Sequence, residues 1–218
     1  MAYPSIVSIG TAVPDIRYEQ MHICERLSPA FENSHRAPAV FRATDIDGRH
    51  SVVDELDWLI ANPGNGERMV AYMAQALPLA VRAIDQALAA SPWQAAEIDH
   101  LIVASCTGVD CPGLDVRIAE TMGMSAYLRR ATIVGMGCQA LLPSLYQAGN
   151  AVQVRPEARA LVLTLELCTL HFQHGRTLKN MLGSALFADG ASAVVIGNGN
   201  RPGPRLLDSM TFSDYQSQ

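Results

Sequence analysis

From residue 101 to residue 197 the chain repeats one unit: a short, wholly apolar run followed by a stretch with apolar residues three and four apart. Residues 101–105, 131–134, 160–165 and 191–197 form the runs, and 114–122, 139–152 and 178–186 form the helical stretches. Strands that are apolar on both faces and separated by helices are buried between helical layers. The pattern therefore predicts an α/β domain with layers in the order α/β/α and a mostly parallel, mixed sheet of five strands, the fifth supplied by residues 5–10.

The region before residue 101 is less regular. The strand at 5–10 ends in the turn chemistry of 11–15, and 18–31 reads as a helix. Residues 33–66 are polar and irregular, closing on the loop signal Asn62-Pro63-Gly64-Asn65-Gly66. Residues 67–90 give the strongest helix, with Met69, Met73, Ala76, Leu77, Ala80, Ile84 and Leu88 on one stripe, a kink expected at Pro78, and a stop at Ser91-Pro92. Residues 205–210 could add a strand, and 213–218 are polar. The expected organisation is one domain over 1–218, an irregular segment at 1–66 leading into a core at 67–218.

Apolar residues make up 49% of the chain and charged residues 17%, which excludes disorder and leaves apolar surface for a partner. A net charge of -5 without a basic cluster gives nucleic acid no electrostatic footprint. Pro4 stands where the apolar core of a secretion signal would run. Glu166 and Arg82 interrupt the two apolar stretches that approach membrane-spanning length. Five cysteines, an odd number, fit reduced thiols rather than a disulfide framework. A soluble, cytoplasmic protein is expected.

The segment Gly135-Met136-Gly137-Cys138-Gln139-Ala140 ends a buried strand, turns on two glycines and opens a helix at a cysteine. Glycines allow the sharp turn and leave room beside the sulfur, and the unpaired N–H groups of a helix start stabilise a thiolate. Such an elbow also aims its side chain out at the carboxyl edge of a parallel sheet. Cys138 is thus either a nucleophile or a small buried apolar residue, and the elbow alone does not separate the two. Cys106-x4-Cys111 and His171-x2-His174 match no common zinc spacing, so no metal is expected. Asp189-Gly190 is a turn into a strand, Phe187 before it defaults to core, and Arg49 closes a polar loop and reads as solvated.

These signals recur in a known order. Val103-Ala-Ser-Cys-Thr-Gly-Val-Asp-Cys-Pro-Gly-Leu-Asp115, then Gly135-Met-Gly-Cys138, then Leu165-Glu-Leu-Cys-Thr-Leu-His-Phe172, then Ser184-Ala-Leu-Phe-Ala-Asp-Gly-Ala-Ser-Ala-Val-Val-Ile-Gly197 resemble four segments of type III polyketide synthases of the chalcone synthase kind. The resemblance covers most of the chain, weakly before Glu67, and implies the N-terminal half of a thiolase-fold condensing enzyme. It implies that Cys138 takes an acyl group from coenzyme A as a thioester, and that Phe187 is an aromatic gate between coenzyme A tunnel and cavity. It places His171 on the cavity wall, where the family commonly carries a small hydroxyl residue, and Thr107 on the substrate-binding loop. Cys111 falls where the family sends a side chain across a dimer interface, and Arg49 becomes a candidate contact for coenzyme A. Pro143 is unusual and should disturb the second turn of the Cys138 helix.

The family also draws a His before Pro-Gly-Gly and an Asn in a Gly-Asn segment from a second, similar half. None of the six histidines (22, 35, 50, 100, 171, 174) has that context, and the chain stops about where the second half would begin. The expected substrates are acyl-coenzyme A and malonyl-coenzyme A, with no further cofactor. The expected partner is a second copy of the chain or a complementary C-terminal half; neither membrane nor nucleic acid is expected. Two other readings stand beside this one: a ketoacyl synthase III-like enzyme making one condensation, and a non-catalytic half-subunit that scaffolds a partner synthase.

Overall fold

The computed structural model describes residues 3–198, 203–214 and 216. In chain order the elements begin with β1 (Pro4–Ala12), β2 (Arg17–Glu19), α1 (Gln20–Arg26), α2 (Ala37–Arg42), β3 (Gly48–His50), α3 (Leu56–Ile60) and α4 (Asn65–Ala89). There follow β4 (His100–Ala104), α5 (Leu114–Thr121), β5 (Arg129–Ile133), α6 (Leu141–Val154), β6 (Ala160–Leu167), α7 (Leu178–Leu186) and β7 (Asp189–Asn198). Five strands form one sheet in the order β1-β7-β6-β4-β5, while β2 and β3 pair as a separate ribbon. β4 is parallel to both β5 and β6, and β7 is antiparallel to β6 and β1. Four of the five strands therefore point one way and only β7 is reversed, as the alternation predicted.

Period-2 alternation divides the sheet into two apolar faces. Leu101, Val103, Leu161, Leu163, Leu165, Ala193 and Val195 face α4 and α5, in one cluster with Ala76, Ala80, Ala83, Ile84 and Ile118. Ile102, Val162, Val194 and Ile196 face α6, where Ala148 and Val152 meet them. α4 carries alanines on its buried stripe, which lets it approach the sheet backbone. A Cβ at Gly10 would lie 2.2 Å from the Ala83 carbonyl oxygen and 2.4 Å from the Ala87 nitrogen. The helix runs on through Pro78, which removes one bond of the ladder without ending it. No described helix is long and apolar enough to cross a membrane.

Four expectations are corrected. Residues 18–31 are not one helix: Tyr18 and Glu19 pair in β2, α1 is short, and Pro29 opens a 3-10 turn at Ser28–Phe31 because its ring cannot extend an α-helix. The segment 33–66 holds α2, β3 and α3, anchored by the buried Phe41, Val53, Leu56 and Leu59. β5 is the last strand of the sheet and exposes Arg129, Arg130 and Thr132, so it is not apolar throughout. Residues 205–210 form no strand: Arg205 makes a single bridge to Ser5, and Leu206 packs on the α6 side. Part of the polar end at 213–218 lies outside the described residues.

The approach at Gly10 yields a stability test. Gly10→Ala must push α4 off the sheet, and overpacking of this kind costs roughly 1–3 kcal/mol. Urea unfolding should show a lower midpoint at an unchanged slope; an unchanged midpoint would refute the contact.

Candidate active site

The parallel strands β4, β5 and β6 all end at one edge of the sheet. Because β7 is reversed and pairs Asp189 with Leu167, it starts at that edge. Four connections therefore converge: the loop after β4 with Cys106 and Thr107, the turn after β5 with Cys138, the turn after β6 with Cys168 and His171, and the link from α7 to β7 with Phe187. The carboxyl edge of a parallel sheet is where α/β folds build sites.

Glu166, near the end of β6, organises the first of these loops. Its carboxylate accepts the Cys106 main-chain N–H at 2.9 and 3.1 Å and the Thr107 hydroxyl at 2.7 Å. The Thr107 hydroxyl in turn accepts the Leu167 N–H at 2.9 Å, and its carbonyl lies 2.6 Å from His171 Nε2. Below the loop, Tyr72 of α4 donates to Ser105 at 2.9 Å, and its ring fills the space a side chain at Gly108 would need.

Cys138 sits in a 3-10 turn at Gly137–Gln139, ahead of α6. The expected α-helix from residue 139 starts instead at Leu141. Begun earlier, it would need a Pro143 N–H for the residue 139 carbonyl; begun at Leu141, it places the proline in the first turn, where no such bond is due. Gly135 and Gly137 hold φ values of 75° and 60°, which a side chain would strain. Cys138 is exposed, so it is not a buried apolar residue. Cys106 Sγ accepts the Gly137 N–H at 3.2 Å and ties the first loop to this turn.

Two buried arginines hold the rims. Arg49 is 7% exposed; its Nε donates to Gln20 Oε1 at 2.9 Å and its Nη1 to the Phe187 carbonyl. Burial pushes its guanidinium down to about 10, against the opposing pull of Asp189. This corrects the solvated-loop expectation: Arg49 is a buried residue of β3, and both named groups bond within the protein. Gln20 also donates to the Ala185 carbonyl, and Asp189 accepts the N–H groups of Val52 and Thr169 and the Thr169 hydroxyl. Burial raises the Asp189 pKa despite these bonds. On the far side Arg68 donates to the carbonyls of Pro63, Leu170 and Phe172.

Between the rims lies a cavity of about 340 Å³ whose wall includes Ile23, Leu27, Leu56 and Leu59, with Thr107, Cys168, His171, Arg49 and Phe187. Thr107, His171, Phe187 and Arg49 thus share one cavity. Cys138 is not in its wall; it stands exposed on the neighbouring turn of the same edge. Phe187 is 52% exposed, so it is not a core residue, and its backbone is pinned by Arg49 and by Gly183. Cys111 is exposed on the loop before α5 and does not line this cavity. Cys168 does line it, and burial together with Glu166 and Asp189 pushes its thiol up to about 12. Sequence reasoning passed over Gln20, Arg68 and Tyr72, which carry no motif, and treated Glu166 only as a motif member and an interruption. A lone carboxylate inside an apolar strand was its signal.

The mixed five-stranded sheet with helices on both faces matches the thiolase-like fold of type III polyketide synthase structures. The family follows from comparison: the model for chalcone and stilbene synthases, N-terminal domain, matches residues 3–200, and the chain belongs to that family. It is 33% identical over 200 residues to an alpha-pyrone synthesis polyketide synthase-like protein of Mycobacterium tuberculosis, covering 88% of this chain and 51% of that one. It is also 33% identical to the 1,3,6,8-tetrahydroxynaphthalene synthase of Streptomyces peucetius subsp. caesius, covering 90% of this chain and 53% of that one. The C-terminal type III polyketide synthase domain of Steely1 from Dictyostelium superposes with a TM-score of 0.84 at 25% identity, over 94% of this chain and 58% of that one. The chain spans about half the length of the curated relatives it matches.

Two measurements check the site. Arg49→Met removes the donor from the Gln20 oxygen and the Phe187 carbonyl, at roughly 1–3 kcal/mol for each buried acceptor left unpaired; urea unfolding should register the loss, and wild-type stability would show that the network is dispensable. Brief iodoacetamide treatment at pH 8 should label Cys138 while Cys168, held as a thiol, and the buried Cys24 stay unmodified. Peptide mapping that finds Cys168 or Cys24 modified first would refute the assignment.

Proposed function

We propose that this chain is the nucleophile-bearing half of a type III polyketide synthase. The Cys138 thiolate attacks the carbonyl of an acyl-coenzyme A, coenzyme A thiolate leaves, and the acyl group stays on sulfur as a thioester. Malonyl-coenzyme A then loses carbon dioxide, and the resulting carbanion displaces the thioester sulfur to lengthen the chain. The observation that carries the reading is the exposed Cys138 on a two-glycine turn, at the edge where Thr107, His171 and Phe187 gather round one cavity. Phe187 stands as the aromatic gate and His171 as the residue that narrows and polarises the wall. Cys111, exposed on its loop, is the side chain directed toward a second copy. For Arg49, the main-chain and Gln20 bonds favour holding Phe187 over contacting coenzyme A.

Decarboxylation calls for oxyanion donors, a large share of such catalysis, which the family draws from a His and an Asn of its second half. An exposed apolar face supports the need for that half. On α6, Leu142 and Tyr146 lie one turn apart and are 64% and 52% exposed, on one surface with Met136 at 37%. A surface of this kind seeks a partner, and a complementary half or a second copy would cover it. The active species is then an assembly in the cytoplasm with acyl- and malonyl-coenzyme A as substrates.

Incubation with acyl-coenzyme A should add one acyl mass to the protein, lost in Cys138→Ala, while malonyl-coenzyme A yields no released product from the chain alone. A single condensation once the second half is supplied would favour the ketoacyl synthase III reading. No acylation, with Cys138→Ala still assembling with a partner synthase, would replace the enzyme reading by the scaffold. Polyketide from the chain alone would show that the second half is not required.

A further inference from the structure

Cys106 is the thiol whose sulfur touches the nucleophile turn. Its Sγ accepts the Gly137 N–H at 3.2 Å, so the sulfur lies against the residue directly before Cys138. Cys106 is itself held, because Glu166 accepts its main-chain N–H with both oxygens and binds the hydroxyl of the next residue. The facing turn has open space around it. Gly135 and Gly137 sit at positive φ, and a Cβ on either would meet nothing within 4 Å. Both thiols are exposed, so a dissolved oxidant reaches each. One sulfur is fixed and the other stands on a glycine turn against it, with open space into which the thiol can turn. We propose that Cys106 and Cys138 join in a reversible disulfide that caps Cys138 under oxidising conditions.

A peroxide is the oxidant. The Cys138 thiolate attacks one peroxide oxygen; an S–O bond forms, the O–O bond breaks, and a sulfenic acid and hydroxide result. The Cys106 thiolate then attacks the sulfenic sulfur, the S–S bond forms, the S–O bond breaks, and the hydroxyl leaves to become water. Two thiols have lost two electrons and two protons, and the peroxide has become two waters. A dithiol reductant reverses the bond by thiol–disulfide exchange. Cys168 is the competing resolver, near enough to feel the charges of both other thiols, yet burial holds it protonated with a pKa of about 12. Attack requires a thiolate, so Cys106 is favoured. The bond does not depend on the acyl-transfer reading; only its consequence, that the oxidised protein accepts no acyl group, rests on it.

The test treats the whole chain with a small molar excess of hydrogen peroxide, blocks remaining thiols with iodoacetamide, and maps the peptides. The expected result is a mass lower by two hydrogens, a peptide linking 106 to 138, and recovery of both thiols with dithiothreitol. Cys168→Ser should leave the link intact. Cys106→Ser should abolish it and carry Cys138 on to the sulfinic acid, with thermal unfolding checking that the variant is folded. If it is not folded, the wild-type and Cys168→Ser maps decide. Cys138 oxidised while Cys106 remains alkylatable, or a link from 138 to 168, overturns the proposal. Acylation of the reduced protein is scored separately: a link without acylation sinks the enzyme reading alone, and acylation without a link sinks the switch alone.

Discussion

A guanidinium taken out of water must find acceptors for its N–H groups, and in this protein two of them find main-chain carbonyls. Arg49 reaches Phe187, and Arg68 reaches Pro63, Leu170 and Phe172. Among the described residues neither forms an ion pair. A carbonyl cannot swing away as a carboxylate side chain can, so each bond sets a backbone position. Gln20 and Asp189 extend the constraint to Ala185, Val52 and Thr169. The segment between β2 and α4, built of the short elements α1, α2, β3 and α3, is thereby held against the edge of the sheet. Desolvation offsets much of what such bonds contribute to stability. Their effect is chiefly geometric: they place the cavity wall.

How far sequence revealed the protein follows the same division. The strands β4, β6 and β7 were legible because burial on both faces leaves an apolar run that no loop produces. β5 was legible as a strand but not as an edge, since its neighbour on one side is a matter of topology. The elements α2, β3 and α3 were hidden because they are only six, three and five residues long, and the apolar clusters Ala39-Val40-Phe41 and Trp58-Leu59-Ile60 are too short to establish a period. Arg49 was misplaced for a related reason: a charged residue in a polar stretch defaults to solvent, and only tertiary packing puts it beside Gln20 and Phe187. At the site, Cys138 was found through its flanking glycines, and Thr107, His171 and Phe187 through resemblance. Gln20, Arg68 and Tyr72 act through hydrogen bonds across large sequence separations, which composition cannot register.

The nucleophile turn reconciles two opposed demands. Its ends must be fixed, or Cys138 would have no defined place on the edge. Ile133 is locked opposite Ala104 in the ladder, and Ala140 is 4% exposed with its carbonyl bound by the Ser144 hydroxyl. Its middle must stay open if any molecule is to reach the sulfur. Gly135 and Gly137 supply that space, and Pro143 delays α6 so that Cys138 lies ahead of the helix rather than within its first turn. A residue inside the helix would lie along the α6 surface, toward the sheet or the solvent. Placed in the 3-10 turn, it stands beside Cys106 at the edge. Glu166 holds the Cys106 side of that contact, and the glycines leave open space on the other.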